Sequence, residues 1–317
     1  SDPCYRIRHG ASEIGEALSD FASALHGQGV GDGVTYYRKF WEIFPLGSEW
    51  ELYQVAPSKT AFYAGREDIV LWEHESGRMA AFAQSVRHLN HKAQQWRSGK
   101  PNWGKDGVII SLVGDRRATI YTGQIYGENC CVVIPANPAH LGAIWRFVVS
   151  GAFADELKKI DSGFAVSVKT MLAVPFDPEE WVGEDGQAPK ADEPESNDPT
   201  QWLFHGQPDK AQEGTELQVA VARLLGYRWP AELDDKMRLS KRARALVAKC
   251  GEMAKFADND GIVCIPAVRG EDPAADRLMK LLAACNIEPS VDLDDWLRNG
   301  FFEQHCKLFH DRPFIWH

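Results

Sequence analysis

Short apolar runs punctuate the first half of the chain. Val108-Ile109-Ile110-Ser111-Leu112-Val113, Ala118-Thr119-Ile120-Tyr121, Cys130-Cys131-Val132-Val133-Ile134 and Val166-Ser167-Val168 are each bounded by Gly, Asp or Pro and predict strands. Between the last two the period changes. Leu141, Ile144, Trp145, Val148, Phe153, Leu157 and Ile160 recur at roughly helical spacing, with Asn137 placed to cap and Pro138 at the first helical position. Residues 1–176 therefore predict a mixed α/β domain.

An acidic, Pro- and Gly-rich linker is predicted over 177–200, centred on the aperiodic run VGEDGQAPKADEPESNDPT at 182–200. Beyond it, residues 201–317 predict a mainly helical domain, making the whole chain α+β. Thr215-Glu216-Leu217-Gln218 has the form of a capping box opening a helix that stops at Gly226. Asp272-Pro273 opens a second helix and Ser290 caps a third that stops at Gly300. Phe301 to Phe309 predicts a fourth, and Ile262-Val263-Cys264-Ile265 reads as either a strand or a buried connection.

Composition narrows the class. With 317 residues, 44% hydrophobic and 25% charged, the chain can bury a substantial core. No apolar run has the length of a membrane span, and Ser1-Asp2-Pro3-Cys4-Tyr5-Arg6 has no signal-peptide pattern, so a cytoplasmic protein is expected. The last residues, Phe314-Ile315-Trp316-His317, lack a polar tail and read as a truncated edge. Seven cysteines without a CxxC pair predict buried free thiols. The net charge of −10 is uneven: residues 176–317 hold 27 acidic and 17 basic side chains, whereas residues 1–175 hold 18 of each. Within that neutral half, residues 85–123 set Arg87, Lys92, Arg97, Lys100, Lys105, Arg116 and Arg117 against only Asp106 and Asp115. Local potential governs binding more than net charge does.

Catalytic constellations are hard to find. Adenine-N6 methyl transfer needs an Asn/Asp-Pro-Pro-aromatic motif to hold the flipped base. Asn137-Pro138-Ala139-His140 lacks the second proline and the aromatic, and reads as a helix cap. Gly27-Gln28-Gly29-Val30-Gly31-Asp32-Gly33 fails the G-x-G-x-x-G spacing and predicts a flexible turn or a place where backbone approaches a ligand closely. His305, Cys306 and His310 match no standard zinc spacing, and no metal is expected.

The run RHLNHKAQQWRSGKPNW from Arg87 to Trp103 interleaves cations, amides and two tryptophans. Arg and Lys suit phosphates and guanine edges; Gln94, Gln95 and Asn102 suit adenine edges. The other reading of this run is a solvated helix face followed by a turn.

Family resemblance bears on that choice. Leu18-Ser19-Asp20-Phe21-Ala22, Gly27, Gly31-Asp32 and Tyr36-Tyr37-Arg38-Lys39-Phe40-Trp41-Glu42 resemble the opening of the target-recognition domain in large type IIG-like adenine methylases, including those of BREX and DISARM phage-defence systems. That family has an L-x-D-x-A strand, a G-x-x-T-G-D turn and an F-x-R-F-W-W-E segment; here Val30 replaces the threonine and the last segment is rearranged. Val108–Tyr121, Val132–Pro135, the 141–160 helix and Val166–Phe176 follow in the family's order. Asp198–Trp202 and Phe301–Trp316 resemble its C-terminal region with the F-x-x-H-x-K-x-Y-x-x-R-P-I-Y-W signature. The resemblance implies a non-catalytic, DNA-reading portion partnered by double-stranded DNA. It also implies an upstream methyltransferase domain holding S-adenosylmethionine, and other defence-system subunits as further partners. Gly31, Asp32 and Arg38 join the candidate DNA-binding residues on this ground. The alternative is a protein-interaction module, suggested by the acidic helical half and by Trp202, Trp229, Trp296 and Trp316.

Overall fold

The computed structural model describes residues 15–182, 193–268 and 270–317. Cys4 and residues 183–192 of the predicted linker lie outside them. The described chain is α+β: eight strands form two four-stranded sheets in the first half, and helices dominate the second. The strands are β1 (Ala22–His26), β2 (Tyr37–Lys39), β3 (Trp50–Gln54), β4 (Asp68–Leu71), β5 (Gly107–Ser111), β6 (Ala118–Tyr121), β7 (Ile125–Tyr126) and β8 (Cys130–Pro135).

The first sheet has the order β1-β8-β5-β6 and is antiparallel throughout. Its central strands are buried on both faces, which is why β5 and β8 read as unbroken apolar runs. Val108, Ile110, Cys131 and Val133 face the helices Leu141–Val149 and Ala152–Ile160, while Ile109, Cys130 and Val132 pack with Tyr121 and Tyr126 behind. The second sheet, β2-β4-β3-β7, is antiparallel except for the parallel β3–β7 pair. Alternation along β4 divides its side chains between two cores. Val70 packs with Trp72, Tyr53 and Met79, whereas Ile69 joins Phe40 and Trp41 in a core continuous with Trp202, Phe204, Val221, Leu278 and Phe301 of the helical region.

Two further links fasten these parts. Trp41 Nε1 donates to the Arg312 carbonyl at 2.8 Å, and Arg312 pairs with Glu42 at 2.9 Å. Arg66 is fully buried; it donates to the carbonyls of Ile120 and Ala64 and lies over the rings of Tyr63 and Trp202, at 5.2 and 5.4 Å. Burial pushes its guanidinium down to about 9.

Several local expectations need correction. The helix expected from Leu141 to Ile160 is two helices, because Gly151 at φ +89° breaks it. Val166–Val168 is not a strand; Ser167 caps a short helix, Val168–Leu172. Leu18–Phe21 is a helical turn leading into β1. The capping box at Thr215 does not form: its hydroxyl donates to the Gln212 carbonyl, and Gln218 bonds Phe301 and His305 instead. Asp292, not Ser290, caps Leu293–Asn299. Ile262–Ile265 is neither strand nor buried connection, with Ile262 exposed. Within 177–200, Pro178–Trp181 forms a 3-10 turn, Trp181 packs on Phe147, and the Pro199 carbonyl accepts from Trp229 Nε1. Among the described residues, no helix is long and apolar enough to cross a membrane.

Candidate nucleic-acid interface

The glycine loop and the basic-aromatic segment, sixty-odd residues apart, meet beside the second sheet. Gly29 N–H donates to the Gln95 carbonyl at 3.2 Å, and buried Gln28 donates through Nε2 to the Trp96 carbonyl at 2.7 Å. Gly31 has φ +74°, and a Cβ there would stand 2.6 Å from the His91 ring. Glycine is therefore required both by conformation and by the ring beside it. Gly27 is needed for a different close approach, since a Cβ would lie 2.2 Å from the Gly127 carbonyl oxygen. The close approach at Gly27 is thus made by the protein's own backbone, and that at Gly31 by the His91 side chain. Asn137 Oδ1 accepts from Ala139 N–H, as a cap does.

Residues 87–102 fold as three consecutive 3-10 turns, Arg87–Leu89, Lys92–Gln95 and Lys100–Asn102. They are anchored by Trp96 and Trp103, which pack on Trp72 at ring separations of 5.2 and 5.3 Å. Two apolar anchors on a polar run leave most of its other side chains outward. Arg87, Lys92, Gln94, Gln95, Arg97, Lys100 and Lys105 are all exposed. Gln94 nevertheless spends its amide on the Ala83 carbonyl at 2.6 Å, and Arg38 donates to the carbonyls of Val34 and Tyr37. Asp32 caps the turn Gly33–Tyr36 by accepting from Thr35 N–H.

Three expected contact residues are used elsewhere. Asn102 is buried, donating to the Tyr126 hydroxyl at 3.2 Å and the Val132 carbonyl at 3.1 Å, so it does not present a base-reading edge. Arg116 is buried and donates to the carbonyls of Gly163 and Phe164, and Arg117 donates to that of Ser58. Both lie in the β5–β6 turn, apart from the 87–105 group. Asn102→Ala should lower stability by about 1–3 kcal/mol through the lost buried hydrogen bonds and leave duplex affinity alone. Urea unfolding beside a binding isotherm checks this; weaker binding at unchanged stability would contradict it.

Charge in this region is less one-sided than residues 85–123 suggest. Lys92 pairs with Glu128 at 2.6 Å, Arg97 and Lys100 both pair with Glu75 at 2.9 and 2.5 Å, and Arg78 pairs with Glu73 at 3.2 Å. Arg87 and Lys105 have no ion pair among the described residues. The three carboxylates lie just outside the basic segment in sequence and are brought onto it by folding. A wider window would have included them, though not their pairing.

The remaining motifs are structural. His305 is buried between Phe301, Phe309 and Phe314, and His310 contacts Glu67. Among the described residues, no group of three or more His, Cys, Asp or Glu side chains could hold a metal ion. Trp202, Trp229 and Trp296 are core residues; Trp316 is 76% exposed.

No family model matches the sequence, and no curated protein matches it. Among solved structures, the chain is similar to the Type IIL restriction-modification enzyme MmeI in complex with DNA, at 12% identity and a TM-score of 0.33. The match covers 88% of this chain and 38% of that one.

Proposed function

We propose that this chain reads duplex DNA for a site-specific adenine-N6 methyltransferase of a restriction-modification or phage-defence system. S-adenosylmethionine and the target adenine are handled by a separate upstream domain. The reading is carried by the meeting of the glycine loop with the 87–105 segment, which places five exposed cations and the exposed amide of Gln95 around a tryptophan-anchored edge. Arg87, Lys92, Arg97, Lys100 and Lys105 contact phosphates, where cations set register and most of the affinity. Gln95 is the candidate for a base edge. Gly31, Asp32 and Arg38 shape the loop beside them, and the helical region braces the second sheet from its other face.

Fluorescence anisotropy across a salt series, with single-stranded DNA as control, tests this. Duplex-selective binding is expected, its log K falling linearly with log salt; alanine at Arg87 or Lys92 weakens all sequences and flattens the slope by about 0.9 each. Gln95→Ala should cost about 1–3 kcal/mol on the preferred sequence alone. Binding that is salt-insensitive, or unchanged by the cation variants, would remove the assignment.

A protein-interaction role has one observation in its favour. A groove of about 900 Å³ between Phe44, Tyr227, Ile262 and Phe314 is flanked by the exposed Trp316. Loss of co-purification with a defence-system subunit in Trp316→Ala, with duplex affinity intact, would assign the groove to protein docking.

A further inference from the structure

Glu73, His74 and Glu75 adopt φ values of +45°, +52° and +64°, three successive non-glycine residues in the left-handed region. L-residues avoid such runs because Cβ crowds the following carbonyl oxygen. Here the turn has a visible result: it aims both carboxylates at cations. Glu73 takes the side chain and backbone N–H of Arg78. Glu75 receives Lys100 Nζ on both oxygens, at 2.5 and 2.7 Å, and Arg97 Nη2 at 2.9 Å.

The two cations gripped by Glu75 are also held from below. The Arg97 guanidinium lies 4.3 Å from the Trp96 ring centroid, and Lys100 Nζ lies 5.9 Å from that of Trp103. Both rings pack on buried Trp72, so the two charges would stay close together without the carboxylate. An arginine and a lysine converging on the oxygens of one anion is an arrangement that accepts a phosphate as readily as a carboxylate.

We propose that Arg97 and Lys100 form a phosphodiester site which Glu75 occupies in the free protein, so that a DNA phosphate binds there by displacing this carboxylate. This rests on the DNA-reading assignment above. The displaced carboxylate opposes every duplex equally, whatever its sequence, and subtracts about one charge from the protein's apparent cation count.

Glu75→Gln removes the charge, and Glu75→Gly removes it while relieving the left-handed backbone, so a folding defect in one variant is not shared by the other. Both should bind duplex of any sequence about 5- to 30-fold more tightly than the natural protein, by anisotropy at fixed salt. The salt slope should steepen by about one, a change that a purely structural role for Glu75 would not produce. If neither variant binds more tightly while Arg97→Ala and Lys100→Ala weaken binding, the cations contact DNA but Glu75 does not compete, and the proposal fails alone. If the two alanine variants leave duplex affinity unchanged, the DNA assignment of this segment falls and the proposal with it.

Discussion

Replacing Glu232 with glutamine is expected to lower the unfolding free energy by about 3–5 kcal/mol. Glu232 Oε1 lies 2.7 Å from Arg223 Nη1, and both side chains are at most 5% exposed. Its other oxygen accepts from Trp229 N–H at 2.7 Å, while Arg223 also donates to the Gly206 carbonyl and lies over the Trp229 ring. Glutamine can keep the Trp229 contact and approximate the shape, but it leaves the guanidinium charge inside the core. Removing one partner of a buried pair costs far more than the pair itself is worth. A double variant, Arg223→Met with Glu232→Leu, should therefore recover most of the loss. Urea unfolding of the four proteins in a double-mutant cycle measures both effects. A single-variant cost below about 1 kcal/mol would show that the guanidinium tolerates solitude there.

Mild acid should destabilise the fold through two buried histidines. Ile315 N–H donates to His305 Nε2 at 3.3 Å, so that nitrogen carries no proton, and Nδ1 faces Gln218 Oε1 at 3.1 Å as the donor. His205 Nδ1 likewise accepts from Gln207 N–H. Burial pushes both rings down to about 4, and at His205 the guanidiniums of Arg223 and Arg242 push the same way against Asp209. Unfolded, each titrates near 6.5. The folded values lie below the unfolded one, so the unfolded chain takes up protons first as pH falls. The stability these rings contribute is complete above about pH 6.5 and is lost progressively down to about pH 4, at roughly 3 kcal/mol per ring. Unfolding midpoints at pH 7.5, 6.0 and 4.5 follow the loss, and imidazole NMR shifts identify its source. His205 and His305 should stay neutral through that window. A flat stability profile, or either buried ring titrating near 6.5, would refute this.

Three strands of the first sheet were legible in the sequence because β5, β6 and β8 are buried throughout almost all of their length, which leaves continuous apolar runs; β1, with exposed positions among its buried ones, was not. Nor was the second sheet. Its strands are three to five residues long apart from the two-residue β7, and β3 mixes exposed and buried positions without clean alternation. The helices of the second half showed through their apolar periodicity, but two caps were misassigned because a side chain's partner is set by tertiary packing. Gln218 is taken by His305 and Phe301, contacts that no local pattern announces. At the candidate interface, residue types located the segment, yet composition could not tell exposed Gln95 from buried Asn102 seven residues later. Nor could it show that Glu75 would reach Arg97 and Lys100.

The fastening of Trp41 to Arg312 and of Arg66 to Trp202 has a consequence for anyone dividing the chain. A graft limited to residues 15–176 would carry Trp41, Phe40 and Ile69 into a host without the surface they were shaped to meet, and would strand the Arg66 charge beside a foreign residue. A unit that keeps these partners therefore includes Trp202 and Arg312 of the second half.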